Sequence, residues 1–247
     1  MAERTIVIAA LGALVVSAWA YLLAGAGMEK HVMDGMLMPV MRSEWTAAYF
    51  VLMLAMWAVM MLAMMLPSAA PMILLHAAIS RKTSEAQKPI AATALFVLGY
   101  VAVWAGFSVS AALLQWMLAS AALLSPMMQT SSKALGGVLL IAAGLYQWTP
   151  LKLACLRRCR SPLDFVIAYW REGRWGSFAM GLRHGAFCLG CCALLMLLLF
   201  VGGLMNVGWI AALAVFVLLE KIAPRGDWVG RAAGVALAVW GIVVLLG

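Results

Sequence analysis

Three cysteines and a histidine occupy one apolar segment at positions that would share a helix face. His184, Cys188 and Cys192 are spaced four residues apart. Cys191 lies three residues beyond Cys188. Residues three and four positions apart are neighbours on a helix, so these nitrogen and sulfur donors would form one ladder. The spacing predicts a metal or redox site, with the packing of small side chains as the alternative.

A second pair of cysteines, Cys155 and Cys159, also has a spacing of four residues. The pair lies in a basic segment, 151–175, which we interpret as an interfacial connection with anionic lipid headgroups as its partners. If this stretch is helical, the two thiols share a face and lie near the first group. Four to six donors would then converge at the cytoplasmic end of the apolar segment that contains His184. Cys155 and Cys159 would be the exit ligands.

Methionines crowd a segment, 27–44, between the first two apolar stretches. An exposed methionine brings no packing benefit, whereas its thioether is a soft donor that suits Cu(I). We therefore predict that this loop captures metal, with a segment lying on the membrane as the alternative. The predicted ligands are His31, Met33, Asp34, Met36 and Met38.

A methionine stripe, defined as Met53, Met56, Met60 and Met64, follows helical spacing through the second apolar segment. Methionine is unremarkable in a lipid-facing helix, so the stripe alone is more typical of an ordinary membrane span than of a site. Together with the cysteines it forms a series of soft donors along the membrane normal. Met60 and Met64 are accordingly predicted to be metal ligands.

The composition requires a membrane to position these residues. Hydrophobic residues make up 66% of the 247-residue chain, charged residues 11%, and the mean hydropathy is +1.03. Soluble domains have roughly 45–50% apolar and about 25% charged residues. We predict an all-α, polytopic transmembrane helical bundle that forms a single domain over 1–247. The lipid bilayer is then its partner, and the net charge of +8 is no sign of nucleic acid binding.

Apolar stretches of about 20 residues predict the individual spans. We expect seven, at 5–25, 45–66, 90–118, 134–148, 176–205, 207–219 and 230–246. The second should continue past Pro67 to Ile79 with a kink, because proline removes a helix hydrogen bond. A competing count divides the third near 119–126.

The distribution of Lys and Arg predicts the orientation. Fourteen of the seventeen fall at Arg4 or in the segments 81–88, 152–183 and 221–231, leaving Lys30, Arg42 and Lys133 for the opposite side. This bias predicts a cytoplasmic N-terminus and an extracytoplasmic C-terminus. Every cysteine would then lie in the membrane or on its reducing side. Glu220 and Lys221 are expected to neutralise each other at the inner end of the sixth span.

Several stretches resemble a known bacterial family. They are WAVMMLAMMLPS at 57–68, CLRRCRSPL at 155–163, HGAFCLGCCALLM at 184–196, GGLMN at 202–206 and LEK at 219–221. This sequence is similar to domain of unknown function 2182, described as predicted metal-binding integral membrane proteins. Ala193 departs from the tryptophan that often follows the cysteine pair. The resemblance implies a metal-binding protein of the bacterial cytoplasmic (inner) membrane but supplies no reaction.

These observations favour a membrane protein that binds and moves or delivers a soft metal ion, with Cu(I) first and other soft metals as alternatives. A partner membrane or periplasmic protein would exchange the metal. The rival hypotheses are a metal-binding subunit of a membrane oxidoreductase complex and a thiol–disulfide exchanger. Nucleotide-binding, HExxH and GxSxG motifs are missing from the sequence, so we expect no enzyme activity from this chain alone.

Overall fold

A computed structural model describes residues 2–27, 30–33, 36–39, 45–83, 89–125 and 127–247, with the backbone alone for 2–3, 30–33 and 36–39. Its helices are α1 (Ala2–Leu23), α2 (Ala47–Ser80), α3 (Pro89–Ser120), α4 (Lys133–Tyr146), α5 (Pro150–Arg160), α6 (Pro162–Tyr169), α7 (Arg174–Leu197), α8 (Leu199–Gly202), α9 (Val207–Ile222) and α10 (Gly226–Leu246). A short antiparallel hairpin, β1 (Lys30–Met33) and β2 (Met36–Pro39), joins α1 to α2.

The prediction of an all-α transmembrane bundle is confirmed. Within the described residues, five helices are long and apolar enough to cross a membrane: α1, α2, α3, α7 together with α8, and α10. Helices α4 and α5 form a pair bent by 65°, which makes a sixth crossing if the pair is one span. The predicted sixth span, 207–219, corresponds to α9, a helix of 16 residues. The count of seven and the orientation stay predictions from the sequence.

Helix α2 forms the centre of the bundle and runs unbroken for 34 residues. Thr46 caps its start by accepting a hydrogen bond from the Tyr49 backbone N–H. Pro67 and Pro71 lie inside the helix, which confirms that the segment continues past Pro67. Proline is tolerated there because neighbouring helices and hydroxyl side chains can satisfy the freed backbone groups.

Helices α3 and α7 approach each other closely through glycines. A Cβ at Gly99 would overlap the Phe178 carbonyl, and one at Gly181 would overlap the Phe96 carbonyl. Small residues let helix backbones meet where lipid provides no hydrophobic drive for association. This contact fixes the depth and rotation of α7, and therefore the direction in which its cysteines face.

A similar contact joins α4 to α10. Gly137 lies against the Gly241 carbonyl, and Gly144 lies against the Gly234 carbonyl. The chain then turns sharply into α5, where Pro150 occupies the first turn and Thr149 accepts a hydrogen bond from the Lys152 backbone N–H. Because α4 is held against α10, the bend directs α5 across the end of the bundle towards α7 and α9.

Charged side chains connect helices at both ends of α4 and α5. The Arg160 guanidinium donates to the carbonyls of Ala223 and Pro224 and lies 3.4 Å from the Asp227 carboxylate. At the other end of α4, Lys133 donates to the Gly247 carbonyl. The position of Arg160 therefore links α5 to the turn between α9 and α10.

The glycine contact predicts a sharp difference between two positions of α3. Gly99→Leu should lower the thermal unfolding midpoint in detergent by roughly 10 °C, since backbone atoms of α7 cannot yield to the added side chain. Gly106→Leu is the matched control, because open space surrounds that glycine. Equal midpoints for the two variants would contradict this account of the packing.

Candidate metal centre

The three cysteines of α7 are completely buried. The Cys191 thiol donates to the Cys188 carbonyl at 3.1 Å, and its sulfur lies 3.2 Å from that of Cys192. Helical spacing places all three on the side of α7 that faces other helices, as the sequence predicts. We call Cys188, Cys191 and Cys192 the α7 thiols.

Helix α5 brings a fourth thiol to this group. Cys155 and Cys159 both lie on α5, so the condition that this stretch be helical is met. The buried Cys159 thiol faces the Cys188 and Cys191 thiols and interacts with them electrostatically. Cys155 is partly exposed and packs beside Gly190, where a Cβ would come within 2.7 Å of its sulfur. The two cysteines thus connect the buried thiols to the surface of the bundle.

A buried ammonium group lies directly against the α7 thiols. Lys221 of α9 places its Nζ 3.0 Å from the Cys188 sulfur and 2.9 Å from the Ser68 hydroxyl. The Tyr100 hydroxyl lies 3.2 Å from the same sulfur and donates to the Met65 carbonyl. Helices α2, α3, α7 and α9 therefore meet at Cys188.

The expected pairing of Glu220 with Lys221 is wrong. Glu220 forms an ion pair with Lys152 of α5 at 2.6 Å, and both side chains are buried. Lys152 also donates to the Gln147 side-chain oxygen. Consecutive residues on a helix point about 100° apart at 3.6 residues per turn, so the carboxylate turns to α5 and the ammonium to α7.

His184 lies in an aromatic pocket beside the thiols. Its ring centroid is 5.2 Å from that of Phe165, 5.7 Å from Tyr100 and 6.0 Å from Phe96. Its Nδ1 is buried and makes no hydrogen bond within the described residues. The imidazole therefore packs one turn away from Cys188, with one ring nitrogen unpartnered.

The methionine stripe lies on a buried face of α2. Its four residues are at most 1% exposed, and the next residue in the same spacing, four positions after Met64, is Ser68. Since Ser68 contacts Lys221, the stripe leads along one helix face to the group around Cys188. The predicted ligands Met60 and Met64 lie in the half of the stripe nearest the thiols.

A buried glutamine holds two thioether sulfurs at the other end of the stripe. The Gln115 amide Nε2 lies 3.5 Å from the Met53 sulfur and 3.3 Å from the Met128 sulfur. Its oxygen accepts a hydrogen bond from the Trp57 indole at 2.8 Å. Met128 adopts a left-handed backbone conformation with φ 57°, which is uncommon outside glycine. We call Met53 and Met128 the outer methionine pair.

The predicted capture loop is described in part. The hairpin pairs His31 with Met38 and Met33 with Met36 along the backbone. Asp34 and the side chains of this loop lie outside the described residues. Their assignment as ligands stays a prediction.

The predicted convergence of four to six donors is not found in the part of the chain that the structure describes. No three His, Cys, Asp or Glu side chains there are arranged to hold a metal ion. The Cys191 sulfur instead contacts that of Cys192 and a backbone carbonyl, and the Cys188 sulfur contacts Lys221 and Tyr100. Ligation by Cys155, Cys159, His184 and the α7 thiols therefore stays a prediction.

Sequence analysis missed the polar residues that surround these sulfurs: Ser68, Tyr100, Gln115, Lys152 and the direct contact of Lys221. The signal for Lys221 and Lys152 was present, since an ionisable residue within an apolar bundle is a functional candidate. Which residues each lysine contacts depends on how its helix is rotated about its axis. Residue spacing along one segment does not determine that rotation.

Similarity to known proteins comes from a family model. The PpoB2 model, described as copper chaperone, matches residues 54–244. The matched region contains all five cysteines and Lys221. No curated protein and no solved structure matches the chain. The match supports a copper-related family but does not identify domain of unknown function 2182 specifically. Because it covers more than half of the sequence, the chain belongs to the PpoB2 copper-chaperone family.

Proposed function

We propose that this protein binds Cu(I) within the membrane and delivers it through its buried sulfur groups. The observation that carries the proposal is the line of soft donors along α2. The helix face that carries the methionine stripe continues to Ser68, which contacts Lys221, and Lys221 contacts the Cys188 sulfur. Buried thioethers thus lead to buried thiols, with the Lys221 ammonium at their junction.

The ligand chemistry agrees with copper as the cargo. Thiolate and thioether sulfur select Cu(I), whereas carboxylate and carbonyl oxygen suit Mg²⁺, Ca²⁺ and Mn²⁺. Neutral thioethers bind more weakly than thiolates, so the ion would move from the methionines to the cysteines. Each cysteine that becomes a ligand gives up its thiol proton. Sulfur pairs such as Cys191 with Cys192, or Cys159 with Cys188, can bind the ion with two ligands.

The outer methionine pair is the proposed first site inside the bundle. Gln115 donates to both sulfurs, and an arriving Cu(I) would replace these two weak hydrogen bonds. Met64 lies eleven positions after Met53, a rise of about 17 Å at 1.5 Å per residue. The stripe therefore spans roughly half of a 30 Å hydrocarbon core.

Cys155 and Cys159 are the proposed exit ligands. Cys159 faces the α7 thiols and interacts with them electrostatically, and Cys155 lies one turn away at the partly exposed surface of α5. A partner protein could take the ion from Cys155 without entering the bundle. His31 and the loop methionines would supply the ion at the opposite side.

The burial of the α7 thiols argues against their direct thiol–disulfide exchange with a partner protein. Exchange needs a thiolate that can reach another sulfur in a partner molecule. The α7 thiols are 0% exposed, so a partner's thiol cannot approach them. A small cation that travels between side chains fits this environment better.

The thiols predict where copper affinity resides. Replacing Cys188, Cys191 and Cys192 with serine should lower Cu(I) affinity by more than about 100-fold, because ligands count for more than the groups that orient them. Competition between purified protein and a coloured Cu(I) chelator, under reducing conditions, measures this. Cys155→Ser is the control, which should keep equilibrium affinity and slow only the transfer to an acceptor. Unchanged stoichiometry in the triple variant would end the proposal.

The stripe predicts a separate effect on rate. Met60→Leu with Met64→Leu should slow Cu(I) loading of the lipid-embedded protein about tenfold, equivalent to about 1.4 kcal/mol of barrier, while final affinity stays unchanged. Leucine nearly conserves the volume of methionine, so folding should be retained.

The matched control for the stripe is Met117→Leu, because Met117 lies on the exposed side of α3. Stopped-flow mixing with a Cu(I) donor measures the loading rate. Equal rates for the control and the stripe variant would exclude the methionines from the path.

A further inference from the structure

We infer that Lys221 is a fixed counter-charge that makes the thiol site selective for a monovalent cation. The inference rests on the proposed function, because it concerns the charge of the cargo held by the α7 thiols. Lys221 is 7% exposed, and its ammonium contacts the Cys188 sulfur directly. A cluster of cysteines that served only for packing would not require a buried cation.

The charges around Lys221 leave sulfur as its counterpart. The neighbouring carboxylate, Glu220, is paired with Lys152 at 2.6 Å, so those two charges compensate each other. Arg160 is paired with Asp227 at the end of the bundle. A buried cation is costly unless negative charge lies close to it. The Cys188 sulfur, 3.0 Å from Lys221 Nζ, contacts the ammonium directly and can carry that charge as a thiolate.

The serine contact holds the ammonium in place. The Ser68 hydroxyl donates to the Met65 carbonyl at 2.8 Å, which directs its lone pairs towards Lys221. Lys221 then donates to that oxygen at 2.9 Å. Both residues are buried, so solvent neither screens the charge nor competes for it. The positive charge is therefore held at a fixed distance from the proposed ligand.

The net charge of the loaded site follows from simple counting. Two thiolates and one Cu(I) carry a net charge of minus one, which Lys221 neutralises. Two thiolates and one divalent ion are neutral, and Lys221 then remains as an uncompensated buried charge. A divalent ion such as Zn²⁺ also requires about four ligands in a tetrahedron, and the described residues contain no group of three. Charge and ligand number favour the same monovalent ion.

The experiment measures affinity for two ions in one set of variants. Lys221→Met should weaken Cu(I) binding by about 100-fold, the scale of removing one partner of a buried charge pair, and should not weaken Zn(II) binding. The ratio of Cu(I) to Zn(II) affinity should fall accordingly. Lys221→Arg should restore most of the ratio, because it retains the charge. Lys133→Met is the matched control, because Lys133 begins α4 and contacts the Gly247 carbonyl rather than a cysteine. This variant should leave the ratio unchanged.

The outcomes separate this inference from the proposed function. If the serine variants of the α7 thiols lose Cu(I) but Lys221→Met keeps the affinity ratio, the role of Lys221 is overturned and copper binding stands. If the serine variants bind Cu(I) normally, the proposed function fails as well. Should Lys221→Met not fold, Lys221→Gln decides, because it removes the charge and keeps a polar group beside Ser68. A fall in the ratio supports the inference, and an unchanged ratio overturns it.

Discussion

The contact between the Lys221 ammonium and the Cys188 sulfur organises the interior of this bundle. A charge inside an apolar bundle must be satisfied by protein groups, because lipid offers none. Four helices meet that requirement together: α9 carries the ammonium, α7 the sulfur, α2 the Ser68 hydroxyl and α3 the Tyr100 hydroxyl. The same convergence places soft donors next to a fixed positive charge. The contacts that compensate the buried charge are therefore the same contacts that form the proposed ion site.

The helix packing serves to maintain that convergence. Glycines let α3 and α7 touch backbone to backbone, so α7 has little freedom to rotate its thiols away. The glycine contacts of α4 with α10, followed by the bend at Pro150, deliver α5 and Cys159 to the same point. The Lys152–Glu220 ion pair locks α5 to α9. These contacts involve small residues or paired polar groups. This is expected in a membrane, because apolar side chains have no hydrophobic drive to pack against protein rather than lipid.

Sequence periodicity predicted what depends on one helix at a time. The shared helix face of the α7 thiols, and that of the methionine stripe, follows from residues spaced three and four apart on long apolar segments. The partners across helices did not follow, because they depend on how each helix is rotated about its axis. Glu220 and Lys221 show this most clearly: adjacent in sequence, they point to different helices. The bend between α4 and α5 was likewise hidden, since composition alone does not distinguish an interfacial segment from a helix that folds back on the bundle.

X-ray absorption at the copper K-edge tests the central claim most directly. We predict that protein loaded with Cu(I) in lipid shows an edge characteristic of Cu(I) and a first shell of sulfur alone. The thiolate component of that shell should decrease when Cys188, Cys191 and Cys192 are replaced by serine. A shell dominated by nitrogen or oxygen, or a thiolate shell that is unchanged by those substitutions, would contradict the account.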